Sequence, residues 1–466
     1  MTDDLRALGN IISSAINSIC AVCETSGKEF PSLNDPIHAS EFTPEGIRND
    51  SSVALSINLI RAAATQLLAT VTPPAATMTL SAFKYTLPAA LGVAEAGNVA
   101  EILRDAGPDG LHINEIAAKS DMHPKKLSRI LRYLATEHWF REITPDVFTN
   151  NLLSSLLDSG KDITKDFDPS TKHDNSNGMS AFAGYGADEC MKSGSYLVEA
   201  MTDPDMKFSE EPNSAGLQKV LKTSETIFEY LERPTEHFRR KRFAIVMATA
   251  NKMHTPASIL AAFDWATLPD EGIVVDVGGG LGHVALEIAK VYPRLRMVIE
   301  DRPLTIEEAK RFWQENLPQH VSSGHVHFIG TDFFAAQPQL PGPVSVFILR
   351  MVIHDWSDKY AIMILRRLRD VATPSTRLII IDHILDYACG SQDETEKPPT
   401  PLLANMGGAN VISYSVDLAV FAALNAGERT IDGFKSILSS SGWKLQEIRR
   451  NPNSSIFKPA IISVPV

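Results

Sequence analysis

Cysteine is scarce in this chain. Its 466 residues include four, Cys20, Cys23, Cys190 and Cys389, too few and too scattered for a disulfide framework. Cys20 and Cys23 form a C-x-x-C, but no second ligand pair follows at similar spacing, which argues against a structural zinc site. The pair reads as two thiols on an amphipathic helix. Basic charge is also short. Lys and Arg number 44 against 56 Asp and Glu, a formal charge of −12, and nucleic-acid binders ordinarily carry the opposite excess. Long apolar runs are missing as well. The best candidate, about 62–82, is broken by Thr residues and by Pro73-Pro74, so no membrane span is expected. The N-terminal MTDDLRALGN has neither the basic nor the apolar region of a secretory signal. These absences predict a soluble, cytoplasmic protein with no nucleic-acid and no membrane partner.

What is present is an ordinary globular composition, 44% apolar and 21% charged, in a chain long enough for two or three domains. Apolar residues recur at helical spacing from Leu5 to Val22, and a second helical stretch, about 51–70, stops before the proline pair. Apolar helices outside a catalytic domain must be covered by something, and a second subunit is the expected cover. Residues from about 83 to 157 have the order of a winged helix. Helical segments at GNVAEILRDAG, HINEIAAKS and PKKLSRILRYLATEHW precede a strand-turn-strand, FREITPDVFTN. Lys125, Lys126, Arg129 and Arg132 would suit a recognition helix. Leu127, Ile130, Leu131 and Leu134 make the other face a core stripe, however, and leave the basic residues as a solvated face. The polar stretch 157–178 reads as a surface loop, followed by a helical linker. The expected division is a dimerising region at 1–160, a loop and linker at 161–245, and a cofactor domain at 246–466.

From about residue 270, short apolar runs alternate with helices: GIVVDVGGG, LRMVIED, VHFIGTDFF, VSVFILRMV and RLIIIDHIL. Runs buried on both faces mark a parallel sheet between helices, a doubly wound α/β fold with its ligand at the strand carboxyl ends. The chain closes with a predicted hairpin, WKLQEIRR, the turn NPNSS and FKPAIISV.

The first of these strands runs into Gly278, Gly279 and Gly280, then Leu281-Gly282 and a helix. Such glycines let the backbone approach a ligand closely. The dinucleotide fingerprint needs glycine at its sixth position, where His283 stands, and no Lys-Ser/Thr ending makes a P-loop. An acid about 20 residues on, Asp301, can accept hydrogen bonds from ribose hydroxyls, although it could instead cap the next helix. Asp332 and Phe333, beyond the third strand, suit the amino edge and the face of an adenine. After the fourth strand come His354, Asp355 and Trp356, at the carboxyl end where a ligand crevice lies.

The ordered set VDVGGGLG (275–282), Asp301, Asp332-Phe333, Arg350, His354-Asp355-Trp356, Asp382 and Gly427-Glu428-Arg429-Thr430 resembles the plant-type (caffeate-like) O-methyltransferases. It is closer still to their fungal relatives, which methylate phenols and polyketides in secondary metabolism. The resemblance covers nearly the whole chain. It implies a Rossmann-like S-adenosylmethionine domain behind a helical winged-helix dimerisation domain, a homodimer, a small phenolic substrate, S-adenosylhomocysteine as product and no metal. It implies His354 as general base, Asp382 and Glu428 flanking it, and Arg350 and Trp356 on the cofactor side. Plant members usually carry Glu and Lys where Asp382 and Arg350 stand. Phe228, Met247, Val420, Phe421 and Asn425 are the expected acceptor pocket, and the Gly/Pro-rich stretch 386–410 is placed to act as a lid. Two rival readings keep the cofactor. One is a relative that uses the sulfonium charge for pericyclic or hydroxylation chemistry without transferring the methyl. The other is a cofactor-sensing winged-helix regulator.

Overall fold

The computed structural model describes all residues except 1, 39–40, 42, 44–45, 164–166, 253–255, 391–396 and 451–457. The chain divides into two compact units. One comprises Met1–Asp203, Ala215–Met253 and Thr400–Leu402, the other Pro204–Ser214, His254–Pro399 and Leu403–Val466. The stretch expected to stand apart as a linker therefore belongs mostly to the first unit, with Pro204–Ser214 in the second.

In the first unit, α1 (Thr2–Ser26) and α2 (Ser51–Val71) pack on each other, burying Leu8, Ala15, Val53, Ala62 and Ala63. The Asp50 carboxylate starts α2 by accepting from the N–H groups of Ser52 and Val53 at 2.9 and 3.2 Å. Prolines 73 and 74 stop it, because a proline nitrogen has no hydrogen to give. Both helices are long and apolar enough to cross a membrane by length and composition, each with a mean hydropathy of 1.3. This corrects the expectation that no such segment exists. No residue of α3 (Pro74–Phe83) is buried, and Met78, Leu80, Phe83 and Tyr85 are all exposed, Met78 by 72%. An apolar row of this kind calls for a covering surface.

The winged helix follows as predicted: α4 (Thr86–Ala96), α5 (Val99–Ala106), β1 (Leu111–His112), α6 (Ile113–Ser120), α7 (Pro124–Thr136), β2 (Arg141–Thr144) and β3 (Val147–Thr149). The strands pair antiparallel in the order β1-β3-β2. Leu127, Leu131 and Leu134 of α7 reach the core with Ile116 and Phe148. On the opposite face, Arg132 is held by Glu142 and Asp146 at 2.9 and 2.8 Å.

The polar stretch 157–178 departs from expectation. Lys172 and His173 are buried, not surface residues. Lys172 Nζ lies 3.1 Å from Glu95 of α4 and 3.7 Å from Glu101 of α5. His173 Nε2 lies 3.0 Å from Glu95, and the Ser159 hydroxyl donates to Glu101 at 2.6 Å. Two glutamates facing inward from adjacent helices need counter-charges, and the polar segment supplies them.

The second unit is a seven-stranded sheet in the order β6-β5-β4-β7-β8-β10-β9. Its strands are β4 (Ile273–Val277), β5 (Arg296–Asp301), β6 (Val326–Gly330), β7 (Val344–Arg350), β8 (Arg377–Ile381), β9 (Trp443–Arg449) and β10 (Ala460–Pro465). The first five are parallel, and β10 inserts antiparallel between β8 and β9. This is the doubly wound sheet the apolar runs predict, closed by the expected hairpin, whose turn at 451–455 lies outside the described residues. The helices used below are α8 (His283–Val291), α9 (Pro303–Asn316), α10 (Asp358–Val371), α11 (Val411–Leu424) and α12 (Ile431–Ser440). Because β4 has β5 on one side and β7 on the other, the winding reverses at β4, and the crevice opens at the carboxyl ends of β4 and β7. The central part of the proposed lid, 391–396, lies outside the described residues, and Thr400–Leu402 groups with the first unit.

Candidate active site

The crevice begins with the loop that leaves β4. Gly278 has φ +66°, and a Cβ there would lie 2.9 Å from Val352 Cγ2. Only glycine tolerates both the left-handed conformation and that approach. Gly280, at φ +59°, has open space where a Cβ would point. Its N–H donates to Asp301 Oδ2 at 2.8 Å, and Gly279 N–H donates to the Glu300 carbonyl at 3.1 Å. Asp301 Oδ1 also accepts from Arg302 N–H at 2.8 Å. Arg302, not Asp301, is the N-cap of α9, so Asp301 braces the glycine loop. Burial raises its carboxyl, and the hydrogen bonds from Gly280 and Arg302 offset part of that rise.

Asp332 lies beyond β6, where Oδ1 accepts from Phe334 N–H at 3.0 Å and the side chain is exposed. Phe333 and Phe334 meet Trp356 edge-on, with ring centroids 5.7 and 4.7 Å away. Trp356 thus joins the β6 and β7 ends into one aromatic wall. Arg350 is half-buried at the end of β7, within electrostatic range of Asp276 and Asp382.

His354 sits on a single 3₁₀ turn, Ile353–Asp355, after β7. Arg429 pins that turn. Its guanidinium donates to the carbonyls of Ile353 and Trp356 at 3.0 and 2.7 Å and to Asp358 at 2.8 Å. The imidazole Nδ1 is 2.7 Å from Glu428 Oε1, and Glu428 is itself held by its N–H donating to Asp417 at 2.8 Å. Asp382 does not flank the ring as expected. Its Oδ2 accepts from the backbone N–H of His354 at 3.2 Å. The shorter aspartate stops at the backbone where the plant-type glutamate would extend further. The second carboxylate at the ring is Asp355, whose Oδ1 lies 3.4 Å from Nε2.

Burial alone would depress the imidazole, but the charges of Asp355 and Glu428 outweigh it and push it up to about 10. Burial raises Asp355 to about 6 and Asp276 to about 7, and it raises Asp382 too. Glu428 moves the other way, because the His354 charge overcomes the burial penalty. Two of these groups escaped the sequence reading, Asp355 as a contact of Nε2 and Lys458. Lys458 precedes β10 and is drawn down to about 8 by burial and by Arg350, against the pull of Glu428 and Asp382. Lys458 carries no motif. Only the pairing of β10 with β8 brings it to the strand end that bears Asp382.

The remaining pocket residues divide between the units. Phe228 lies on helix Ile227–Glu232 and Met247 on His237–Lys252, both in the first unit. Val420 and Phe421 lie half-buried on α11 in the second. Asn425, just past α11, gives both amide hydrogens to backbone carbonyls of Ser209 and Glu211 at 2.8 and 3.0 Å. It therefore ties the 204–214 segment to its unit, a structural role the sequence reading did not foresee.

A glycine loop at the switch point, a half-buried acid ending the next strand and an aromatic wall beyond it make this a Rossmann-like domain of the adenosylmethionine-dependent methyltransferase class. Residues 208–444 match the O-methyltransferase domain family model, and residues 80–159 match the O-methyltransferase dimerisation domain. The chain belongs to the O-methyltransferase family. It is 40% identical to an O-methyltransferase of Armillaria gallica over 100% of both chains. It is 36% identical to 4-O-methyltransferase 1 of Phanerochaete chrysosporium, again over 100% of both. The solved mitomycin 7-O-methyltransferase has a similar fold, with a TM-score of 0.61 at 22% identity, covering 87% of this chain and 99% of that one.

The residues present fit the family's cofactor. Asp276, Asp301, Asp355, Asp382 and Glu428 gather around the crevice, and Asp382 Oδ1 and Glu428 Oε2 have no hydrogen-bond partner among the described residues. Such a set favours a cation.

Proposed function

We propose that this protein transfers a methyl group from S-adenosylmethionine to a phenolic or enolic hydroxyl of a small aromatic or polyketide-like acceptor, with His354 taking the hydroxyl proton. The observation that carries the reading is the 2.7 Å contact between His354 Nδ1 and Glu428. A carboxylate there fixes the ring and stabilises the imidazolium, leaving Nε2 to accept.

A phenol of pKa ~10 is almost wholly protonated near pH 7 and a weak nucleophile. The cofactor supplies an electrophilic methyl on a sulfonium. Within the protein, Asp301 with Gly278, Gly279 and Gly280 would hold the ribose and backbone of that cofactor. Asp332, Phe333 and Trp356 would hold its adenine end, and Arg350 would orient the neighbouring acids. Val420 and Phe421, in the same unit as His354, would line the acceptor side. The homodimer would form through the N-terminal half, where the exposed apolar row of α3 supports a covered surface.

Incubation with adenosylmethionine and a panel of phenols should yield S-adenosylhomocysteine and a methyl ether. Bound cofactor with no turnover on any phenol or enol would instead favour the pericyclic or hydroxylating reading. Asp301→Ala should weaken cofactor binding by roughly 10- to 100-fold, the usual worth of hydrogen bonds to a charged acceptor. Calorimetry reads this directly, and unchanged affinity would remove Asp301 from the site.

A further inference from the structure

His354 is enclosed by charge. Asp355 faces Nε2 from its own turn at 3.4 Å, Glu428 faces Nδ1 at 2.7 Å, and Asp382 at the end of β8 holds the backbone N–H at 3.2 Å. The nearby cations are Arg429, spent on turn carbonyls and Asp358, Arg350 at the end of β7, and Lys458 before β10. His383, the other imidazole nearby, is held down to about 4 by burial and by Lys458 and stays neutral. With a carboxylate on each ring nitrogen, the free enzyme favours a proton on both. An imidazolium cannot take a phenol's proton, so the base must first be emptied.

We propose that Asp355 is a positioning residue that keeps Nε2 of His354 protonated in the free enzyme, and that binding of the cationic methyl donor expels this proton, so the base exists only once the donor is in place. The proposal rests on the reading of His354 as base. The glycine loop and the His354 turn adjoin, since a Cβ on Gly278 would strike Val352, two residues before His354. A unit positive charge about 6 Å from a titrating group, at an effective dielectric of about 20, weakens proton binding on the order of 100-fold.

The charges balance at every stage. In the free enzyme the positive charge is the imidazolium. On binding, at a pH above the lowered value, that proton leaves to solvent and the sulfonium replaces it. In transfer, the phenol oxygen forms its bond to the methyl carbon, the C–S electron pair stays on sulfur, and the phenol proton moves to Nε2. The product is a neutral thioether beside an imidazolium again.

Affinities for S-adenosylmethionine and S-adenosylhomocysteine are measured from pH 7 to 9, with calorimetry at pH 9 in two buffers of different ionisation enthalpy. The affinity ratio should shift about 10-fold toward the sulfonium as pH rises, with excess proton release for the sulfonium alone. Sinefungin, which carries a charge without a transferable methyl, should behave like the sulfonium. A ratio independent of pH, or equal proton release with both ligands, would overturn the coupling. Asp355→Asn should move the coupling, and the rising limb of kcat/KM, to lower pH. An unmoved limb would remove Asp355 from the proposal. Coupling that persists while no phenol is methylated would sustain this inference and reject the transferase reading.

Discussion

His354→Ala is expected to lower methyl transfer to ordinary phenols by about 10²- to 10⁴-fold, the usual contribution of a general base, while cofactor binding is retained. The loss should depend on the acceptor. A phenol whose pKa lies near the assay pH is already partly ionised and needs no proton acceptor, so the deficit should shrink along a series of more acidic phenols. It should also shrink as pH rises toward the phenol's own pKa. Turnover as S-adenosylhomocysteine formed, measured across such a series for both proteins, gives the check. Equal rates in wild type and variant on a phenol of pKa ~10 would refute the assignment. A uniform deficit across the series would point to a positioning role for the ring. Glu428 and Arg429 act behind His354: one aligns the ring and the other clamps the turn that carries it.

The second large effect lies away from the crevice. Lys172→Met should destabilise the first unit by about 3–5 kcal/mol, the usual cost of leaving buried charge uncompensated. Lys172 is about 5% exposed and Glu101 about 1%, so neither Glu95 nor Glu101 can turn to water when the ammonium is lost. For a unit of this size, that is a fall in its melting transition of roughly 10 °C or more. Glu95→Gln added to Lys172→Met should recover part of the loss, because it removes the stranded charge. The pH dependence has a definite sign. Burial would raise Glu95, but the hydrogen bond from His173 and the charge of Lys172 bring it below its ordinary value. Its stabilising share is therefore complete above the ordinary glutamate range and disappears as pH falls through the lowered value. The gap between wild type and Lys172→Met should narrow in acid. A constant gap from pH 7 to 3 would show that the cost is lost packing.

The family relation restricts what the fold can say about chemistry. A shared doubly wound domain accommodates several uses of one cofactor, and the His354–Glu428 geometry is what favours methyl transfer among them. The acidic balance and the Arg132 pairing with Glu142 and Asp146 likewise support an enzyme over a regulator. On the basic face of α7, Arg132 is neutralised by these two acids.

The sequence by itself determined the elements and their order, because periodicity, proline stops and glycine turns act over a few residues. The five apolar runs, the loop at Gly278–Gly280, the winged helix and the His354 turn were all legible for that reason. It did not determine which groups meet. The sequence places Asp382 beside the imidazole, but it holds the backbone; it places Asn425 in the pocket, but that residue anchors a distant segment. Lys172 and His173 read as loop surface in the sequence; in the structure Lys172 pairs with two inward glutamates and His173 hydrogen-bonds one of them. Lys458 had no local signature. Each outcome depends on distances between segments far apart in the chain, and on burial, which turns an ordinary carboxyl or amine into a group that must find a counter-charge.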